Sequence, residues 1–259
     1  MEAYTDFASV YDIFMDETPY EEWCGNVRAA LEKYHIREGL VLDLGCGTGT
    51  LTELLAGTGY DMIGVDSSAE MLGRALEKRD RSGHDILYLC QDMRAFELYG
   101  TVRAVVSLCD SINYIVEKDE LAAVFCLVNN YLDPDGIFFF DFNTDYKYRM
   151  IGDAVIAENR ETCSFIWENY YEEESRVNEY EVTVFTEEAD GRYRKFRESH
   201  YQRGYRLEEI KELLAAAGMA FLEASDADTK GPVTETSGRI YVTARESGKN
   251  GTGRGEDER

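Results

Sequence analysis

Residues 41–50, VLDLGCGTGT, constrain this chain more than any other stretch. A short apolar run carrying an acid passes directly into Gly45, Gly47 and Gly49, each one residue apart. Glycine is costly to order, so such a cluster marks a sharp backbone bend or a place that something must approach closely. Beyond the loop, Leu51, Leu54 and Leu55 fall at helical spacing. The pattern is strand, glycine loop, helix, and it leaves the loop amides able to face a ligand.

The same rhythm then repeats. Short apolar runs at 62–65, 86–90, 102–108 and 137–140 alternate with helical patterns. Ser67-Ser68-Ala69-Glu70 reads as a capping box for the helix that turns Met71, Leu72, Ala75 and Leu76 inward. Leu121, Val124, Phe125, Val128 and Leu132 mark another helix, and Pro134-Asp135-Gly136 a turn. Strands alternating with helices imply parallel pairing in an open, doubly wound α/β sheet. In such sheets ligands bind beyond the carboxyl ends of the strands. There the sequence places Asp43, Asp66, Asp92, Asp110 and Asp141. One acid at a strand end is unremarkable, whereas five along one sheet edge describe a site.

The flanking segments read differently. Thr18-Pro19-Tyr20-Glu21 predicts a helix start, with Thr18 as cap and Pro19 in the first turn. Trp23, Val27, Leu31 and Tyr34 then share a face. Residues 154–203 alternate apolar and polar, which predicts two to four antiparallel strands inserted into the helix–strand rhythm. Leu207, Ile210, Leu213, Leu214 and Ala217 form an amphipathic helix stopped by Gly218, and 221–224 with 240–244 can pair as an edge hairpin. The polar, glycine-rich residues from Glu246 onward suit a disordered tail.

The formal net charge of −24 disfavours nucleic acid as a partner, because such a surface repels phosphate backbones. The insertion is itself acidic and offers no basic patch. No stretch approaches the roughly 20 apolar residues needed to span a bilayer, and the N-terminus does not resemble a signal peptide. Six cysteines without CxxC spacing and three scattered histidines argue against disulfides and against a metal site. A cytoplasmic protein without a metal is expected.

The glycine order is GxGxG, not the dinucleotide GxGxxG, and no Lys-Ser or Lys-Thr follows it as a phosphate loop needs. LDLGCGTG, GVDSSAEML, CQDM and SLCDSINYI, in that order, resemble the class I S-adenosylmethionine-dependent methyltransferases over roughly residues 1–245. The likeness is greatest to small bacterial methyltransferase-domain proteins with an N-terminal YDxxM…PYxxW segment, here Tyr11 to Met15 and Pro19 to Trp23.

The resemblance implies a Rossmann-like, mostly parallel seven-stranded sheet with a small antiparallel β insertion. Residues 1–36 would form a helical cover, 37–150 with 204–245 the cofactor-binding domain, 151–203 a substrate cover and 246–259 a free tail. It also assigns roles around S-adenosyl-L-methionine, with S-adenosyl-L-homocysteine as product. Gly45, Cys46, Gly47 and Gly49 would let the methionine moiety approach, and Asp43 would receive its ammonium. Asp66 would accept the ribose hydroxyls, which suits a carboxylate with two acceptor oxygens. Ser67 and Met71 would flank the adenine, and Gln91, Asp92 and Met93 would meet its edge. Cys109 and Asp110 would lie along the methionine chain, while Tyr11, Tyr20 and Trp23 would close the site. Met71 suits the core equally well, as do Tyr20 and Trp23 on the apolar face of their helix.

Methyl transfer from a sulfonium is an in-line displacement with a good leaving group, so alignment matters most. A general base is needed only where the nucleophile must lose a proton, and no residue type is diagnostic. Tyr11, Asn113, Asn143 and His200 are the catalytic candidates, with Tyr114, Asp141 and Glu168 as further polar groups at the active edge. The segment at 107–110 is not the NPPY or DPPY of enzymes that methylate base or amide nitrogens. A small-molecule methyl acceptor is expected. An RNA or protein methyltransferase, and a cofactor-binding protein without turnover, are the alternatives.

Overall fold

The computed structural model describes residues 7–249. Its strands are β1 (Leu40–Leu44), β2 (Asp61–Asp66), β3 (Ile86–Cys90), β4 (Val102–Ser107), β5 (Leu132–Asn143), β6 (Val155–Asn159), β7 (Cys163–Glu172), β8 (Val177–Glu187), β9 (Tyr193–Arg203), β10 (Met219–Asp226) and β11 (Arg239–Glu246). Its helices are α1 (Tyr11–Phe14), α2 (Tyr20–Lys33), α3 (Thr50–Gly57), α4 (Ala69–Ser82), α5 (Lys118–Tyr131), α6 (Asp145–Ile151) and α7 (Leu207–Ala216).

Seven strands form one sheet in the order β10-β11-β5-β4-β1-β2-β3. β1 to β5 pair in parallel, and β10 and β11 close the edge as an antiparallel hairpin. Strand residues alternate between the two sheet faces, as the period of two requires. Val41, Ala104 and Val106 join Val27 and Leu31 of α2 and Leu51 and Leu55 of α3. Leu42, Leu44 and Val105 join Phe125 and Val128 of α5 and Ile210 and Leu214 of α7. The sheet is thus buried on both faces, which is why its strands read as nearly continuous apolar runs. β1 continues through α3 into β2 on one side, while β4 lies on its other side. This reversal of strand order opens a crevice at the carboxyl ends of β1 and β4.

The second sheet, β6-β7-β8-β9, is antiparallel throughout. Its inner face shares a third core with the N-terminal segment: Phe7 and Val10 pack with Phe165, Tyr180, Val182 and Val184. The rings of Phe14 and Phe165 meet edge-on at 4.7 Å. The Phe7 amide donates to Glu198 Oε1 at 3.0 Å, tying the same segment to β9.

Several local expectations are corrected. α2 starts at Tyr20 with Pro19 as cap residue and no side-chain cap; the Thr18 hydroxyl instead meets Met15 Sδ at 3.5 Å. The cap of α4 is Ser68, not Ser67, because Ser68 Oγ accepts from the Met71 amide. β5 begins at Leu132, upstream of the expected turn, and its pairing with β4 slips around Gly136. The disordered tail does not begin at Glu246, which ends β11. Ser247 Oγ donates to the Gly218 carbonyl, and Lys249 Nζ donates to the carbonyls of Asn129 and Asn130 at 2.8 Å, closing the end of α5. Residues 250–259 of the expected tail, and residues 1–6 of the expected helical cover, lie outside the described residues.

Candidate active site

The crevice beyond β1 and β4 is a cleft of about 410 Å³, within the usual range for small-molecule sites. Its floor is the glycine loop. Gly45 has φ +82°, and a Cβ there would fall 2.6 Å from Ser111 Oγ. Gly49 has φ +74°, and a Cβ would fall 2.5 Å from the Tyr88 hydroxyl. Gly45 therefore lets the loop after β4 close onto the loop after β1. Gly49 lets α3 pack on β3 and is not among the residues lining the cleft, so its expected contact with a ligand becomes a packing role. Gly47 faces open space beside Cys46, and both line the cleft.

Three acids stand along the floor. Asp43 is 2% exposed, accepts from Thr52 Oγ1 at 2.7 Å, and is pushed up to about 7 by burial. Asp66 accepts from the Gly47 amide at 2.8 Å and the Ser68 amide at 2.9 Å. Burial raises it above the usual carboxylate range, against the pull of those amides. Asp92 is gripped by Arg94, whose backbone amide donates at 2.8 Å and whose guanidinium donates at 2.5 and 3.0 Å, and it lies below the usual range for that reason. Ser67, Met71 and Met93 line the same end. Gln91 lies in a smaller adjoining recess, with its amide bonded to the backbone of Glu97.

Tyr11, Tyr20 and Trp23 roof the other end, and Tyr20 and Trp23 meet edge-on at 5.3 Å. The Tyr11 hydroxyl approaches Cys109 Sγ at 3.8 Å. Cys109 lines the cleft; burial and the neighbouring Asp110 push its thiol up to about 12. Asp12, next to Tyr11, holds the roof down. Asp12 Oδ1 accepts from Thr48 Oγ1 at 2.6 Å, and Asp12 Oδ2 pairs with Lys78 at 2.8 Å. The Lys78 ammonium also donates to Thr48 and Thr50.

Asp110 departs from its expected place beside the ammonium. It has φ +52° and faces away from the floor acids: Arg239 Nη2 donates to Oδ1 and Gln202 Nε2 to Oδ2, each at 2.6 Å. Asp141 accepts from the Asp110 amide at 2.8 Å and lies 3.3 Å from Arg239. These groups form a buried charge network behind the cleft. Asn113 and Asn143 are corrected as catalytic candidates for a similar reason. Asn113 is fully buried and braces two segments, donating to the carbonyls of Asn143 and Arg203 and accepting from the Asn143 amide. The Asn143 side chain is 2% exposed and bonds Lys147, Arg239 and Tyr148. His200 does not line the cleft. It is 4% exposed on the inner face of the insertion, with Nδ1 3.4 Å from the Tyr114 hydroxyl. Tyr114 itself lines the cleft. No residue of the insertion does, because the N-terminal segment packs against its inner face. Glu168 instead meets the Tyr170 hydroxyl near 3.5 Å.

Sequence reasoning missed Thr52, Arg94, Lys78 and Arg239. Arg94 carried a local signal, since it lies two residues from Asp92. Lys78 and Arg239 join partners far along the chain and carried none. Among the described residues, no group of three His, Cys, Asp or Glu side chains could hold a metal ion, and no helix is long and apolar enough to cross a membrane.

Residues 41–136 match the methyltransferase domain family model. A Geobacillus protein, a methyltransferase by name, is 35% identical over 245 residues, covering 93% of this chain and 99% of the relative. A Streptomyces venezuelae protein named as a dTDP-3-amino-3,4,6-trideoxy-alpha-D-glucopyranose N,N-dimethyltransferase is 30% identical over 51% of this chain and 55% of its own. The crystal structure of an S-adenosylmethionine-dependent methyltransferase from Clostridium acetobutylicum superposes with a TM-score of 0.85 at 28% identity, covering 95% of this chain and all of that one. With the glycine loop and floor acids at the switch point of the same sheet, these likenesses lead to one assignment. The chain belongs to the class I S-adenosylmethionine-dependent methyltransferases.

Proposed function

We propose that the cleft binds S-adenosyl-L-methionine and that the protein directs its methyl group to the nucleophile of a small molecule, with S-adenosyl-L-homocysteine as product. The observation that carries this reading is the row of Asp43, Asp66 and Asp92 along the glycine loop, each lining one cleft. The residues fit the cofactor. Asp43 is a buried acid without a cationic side chain bonded to it, which suits an incoming ammonium. Asp66 is held by the amides of Gly47 and Ser68, one on each oxygen, with the Ser67 amide beside them, and its two oxygens suit the acceptance of hydroxyls. Gly47 and Cys46 leave the loop open to close approach, and Met71 and Met93 offer apolar walls for a flat ring.

When bound, the cofactor supplies an electrophilic methyl on a sulfonium. The chain's own contribution is to hold donor and acceptor in line and exclude water, for which Tyr11, Tyr20 and Trp23 form the roof. A small acceptor is supported by the modest volume of the cleft, about 410 Å³, and by the net charge of −24, which repels polyanions. The Streptomyces relative, named for an amino sugar nucleotide, points to an amine nitrogen as the methylated atom. The free cysteines suit action in a reducing cytoplasm.

Calorimetric titration tests the first half. S-adenosylmethionine and S-adenosylhomocysteine are expected to bind in the micromolar range, with NAD and ATP as silent controls. A folded sample that binds neither overturns the reading. Transfer of labelled methyl groups to a panel of amino sugars and small amines, against tRNA and protein pools, then tests the acceptor class. Labelling of tRNA alone would reverse the small-molecule assignment.

A further inference from the structure

Tyr114, His200 and Glu198 form a chain of polar side chains leading out of the cleft. Tyr114 ends the 3-10 turn after β4 and lines the cleft. Its hydroxyl lies 3.4 Å from His200 Nδ1, and the two rings meet edge-on with centroids 6.0 Å apart. His200 Nε2 lies 3.5 Å from Glu198 Oε2. The other oxygen of Glu198 accepts the Phe7 amide at 3.0 Å, which fixes the carboxylate. His200 and Glu198 are 4% exposed, on the inner face of β9. Tyr180, its cross-strand partner on β8, Glu198 on its own strand and Tyr114 from the turn are among the described residues around the imidazole. Two strands and the N-terminal segment therefore converge on a histidine whose ring faces a tyrosine in the cleft wall.

We propose that Tyr114 is the group that meets the acceptor's proton, with His200 and Glu198 as positioning residues that draw the proton away. This rests on the cofactor reading above. As the acceptor lone pair bonds to the methyl carbon, the carbon–sulfur bond breaks and its electron pair stays on sulfur. The proton leaving the acceptor passes to Tyr114 Oη, while the phenolic proton passes to His200 Nδ1. The resulting imidazolium faces the Glu198 carboxylate and returns its proton to solvent after product leaves. A histidine can do this near neutral pH, and a tyrosine with no base behind it cannot. The arrangement requires an acceptor that carries a proton on its nucleophile, an amine or a hydroxyl. Catalytic hydrogen bonds are often long before ligands bind, which fits the 3.4 Å between Tyr114 and His200, while His200 and Glu198 meet at 3.5 Å as a charge contact.

The test compares two ligands, neither of which turns over. Sinefungin carries an amine where the cofactor carries its methylsulfonium, and S-adenosylhomocysteine carries nothing there. The readout is the ratio of their affinities in the wild type and in Tyr114→Phe, His200→Gln and Glu198→Gln. Glu198→Gln keeps an acceptor for the Phe7 amide and puts an uncharged amide nitrogen where an oxygen faced His200. The relay predicts that Tyr114→Phe lowers the sinefungin preference about tenfold, the size of one charge-assisted hydrogen bond. The His200 and Glu198 variants should lower it severalfold, each ratio being taken against S-adenosylhomocysteine in the same variant. A ratio that stays flat in all three overturns the proposal. A ratio that moves only in Tyr114→Phe overturns the roles of His200 and Glu198.

If a variant fails to fold, the wild-type chain still decides. With only three histidines, the ring resonances are assignable, and His200 should shift with sinefungin and not with S-adenosylhomocysteine. Equal response to both overturns the relay. Failure of both ligands to bind the wild type overturns the cofactor reading, and the relay with it.

Discussion

The Thr52 hydroxyl donates to Asp43 Oδ2 at 2.7 Å in a place almost closed to water. One neutral hydrogen bond does not repay the burial of a carboxylate, so Asp43 is held up to about 7, where an ordinary aspartate titrates near 3.8. A cationic ligand reverses that balance.

Binding of S-adenosylhomocysteine through its ammonium is therefore expected to release a proton below pH 7. Affinity should rise toward pH 7 by up to tenfold per unit and level off above it. The folded pKa of Asp43 is raised, so its contribution to stability has the opposite slope. It is fully present below pH 4 and lost as pH rises to about 7. Calorimetry at pH 6 in buffers of different ionisation enthalpy should count about one proton in the wild type and none in Asp43→Asn.

Asp66→Ala removes the acceptor expected to meet two ribose hydroxyls. It also strands the Gly47 and Ser68 amides. Each charge-assisted bond is worth about 1.5–3 kcal/mol, so cofactor affinity should fall by a few kcal/mol. Unchanged affinity in titration calorimetry would remove the ribose assignment.

Asp12 pins the roof to the glycine loop through Thr48 and Lys78. The pair is partly exposed and contributes little to global stability. Asp12→Ala should leave the melting temperature nearly unchanged while S-adenosylhomocysteine dissociates a few times faster in stopped-flow fluorescence. An unchanged off-rate would mean that ligands leave without lifting α1.

Arg239 sits between Asp110 and Asp141 and over the ring of Trp23, at 5.5 Å. Removing one member of a buried ion cluster leaves uncompensated charge, at a cost of about 3–5 kcal/mol. Arg239→Ala should show that loss in urea unfolding at pH 7. Asp110→Asn, which removes one charge but keeps one of the two accepting oxygens, should lose less.

Local chemistry carried much of this molecule. The apolar runs that became β1 to β4, the glycine loop, the terminal hairpin and the acids at one sheet edge were legible because a strand, a turn and its side-chain period depend on adjacent residues. The parallel sheet followed, since strands separated by helices have few other ways to pair. Where two local solutions were equally good, sequence failed: Ser67 and Ser68 can each cap α4, and in the fold it is Ser68 Oγ that accepts the Met71 amide. Side-chain roles in the second layer were not legible at all. Asp110 resembles its neighbours Asp43 and Asp66 in chain position, yet an arginine 129 residues away turns it aside. Asn113 looks available until Asn143 and Arg203 take its amide. His200 lies on a strand like any other until the fold sets it behind Tyr114. Strand ends are placed by neighbouring residues and backbone geometry, whereas a buried polar group takes whatever partner the packed chain brings within about 3 Å.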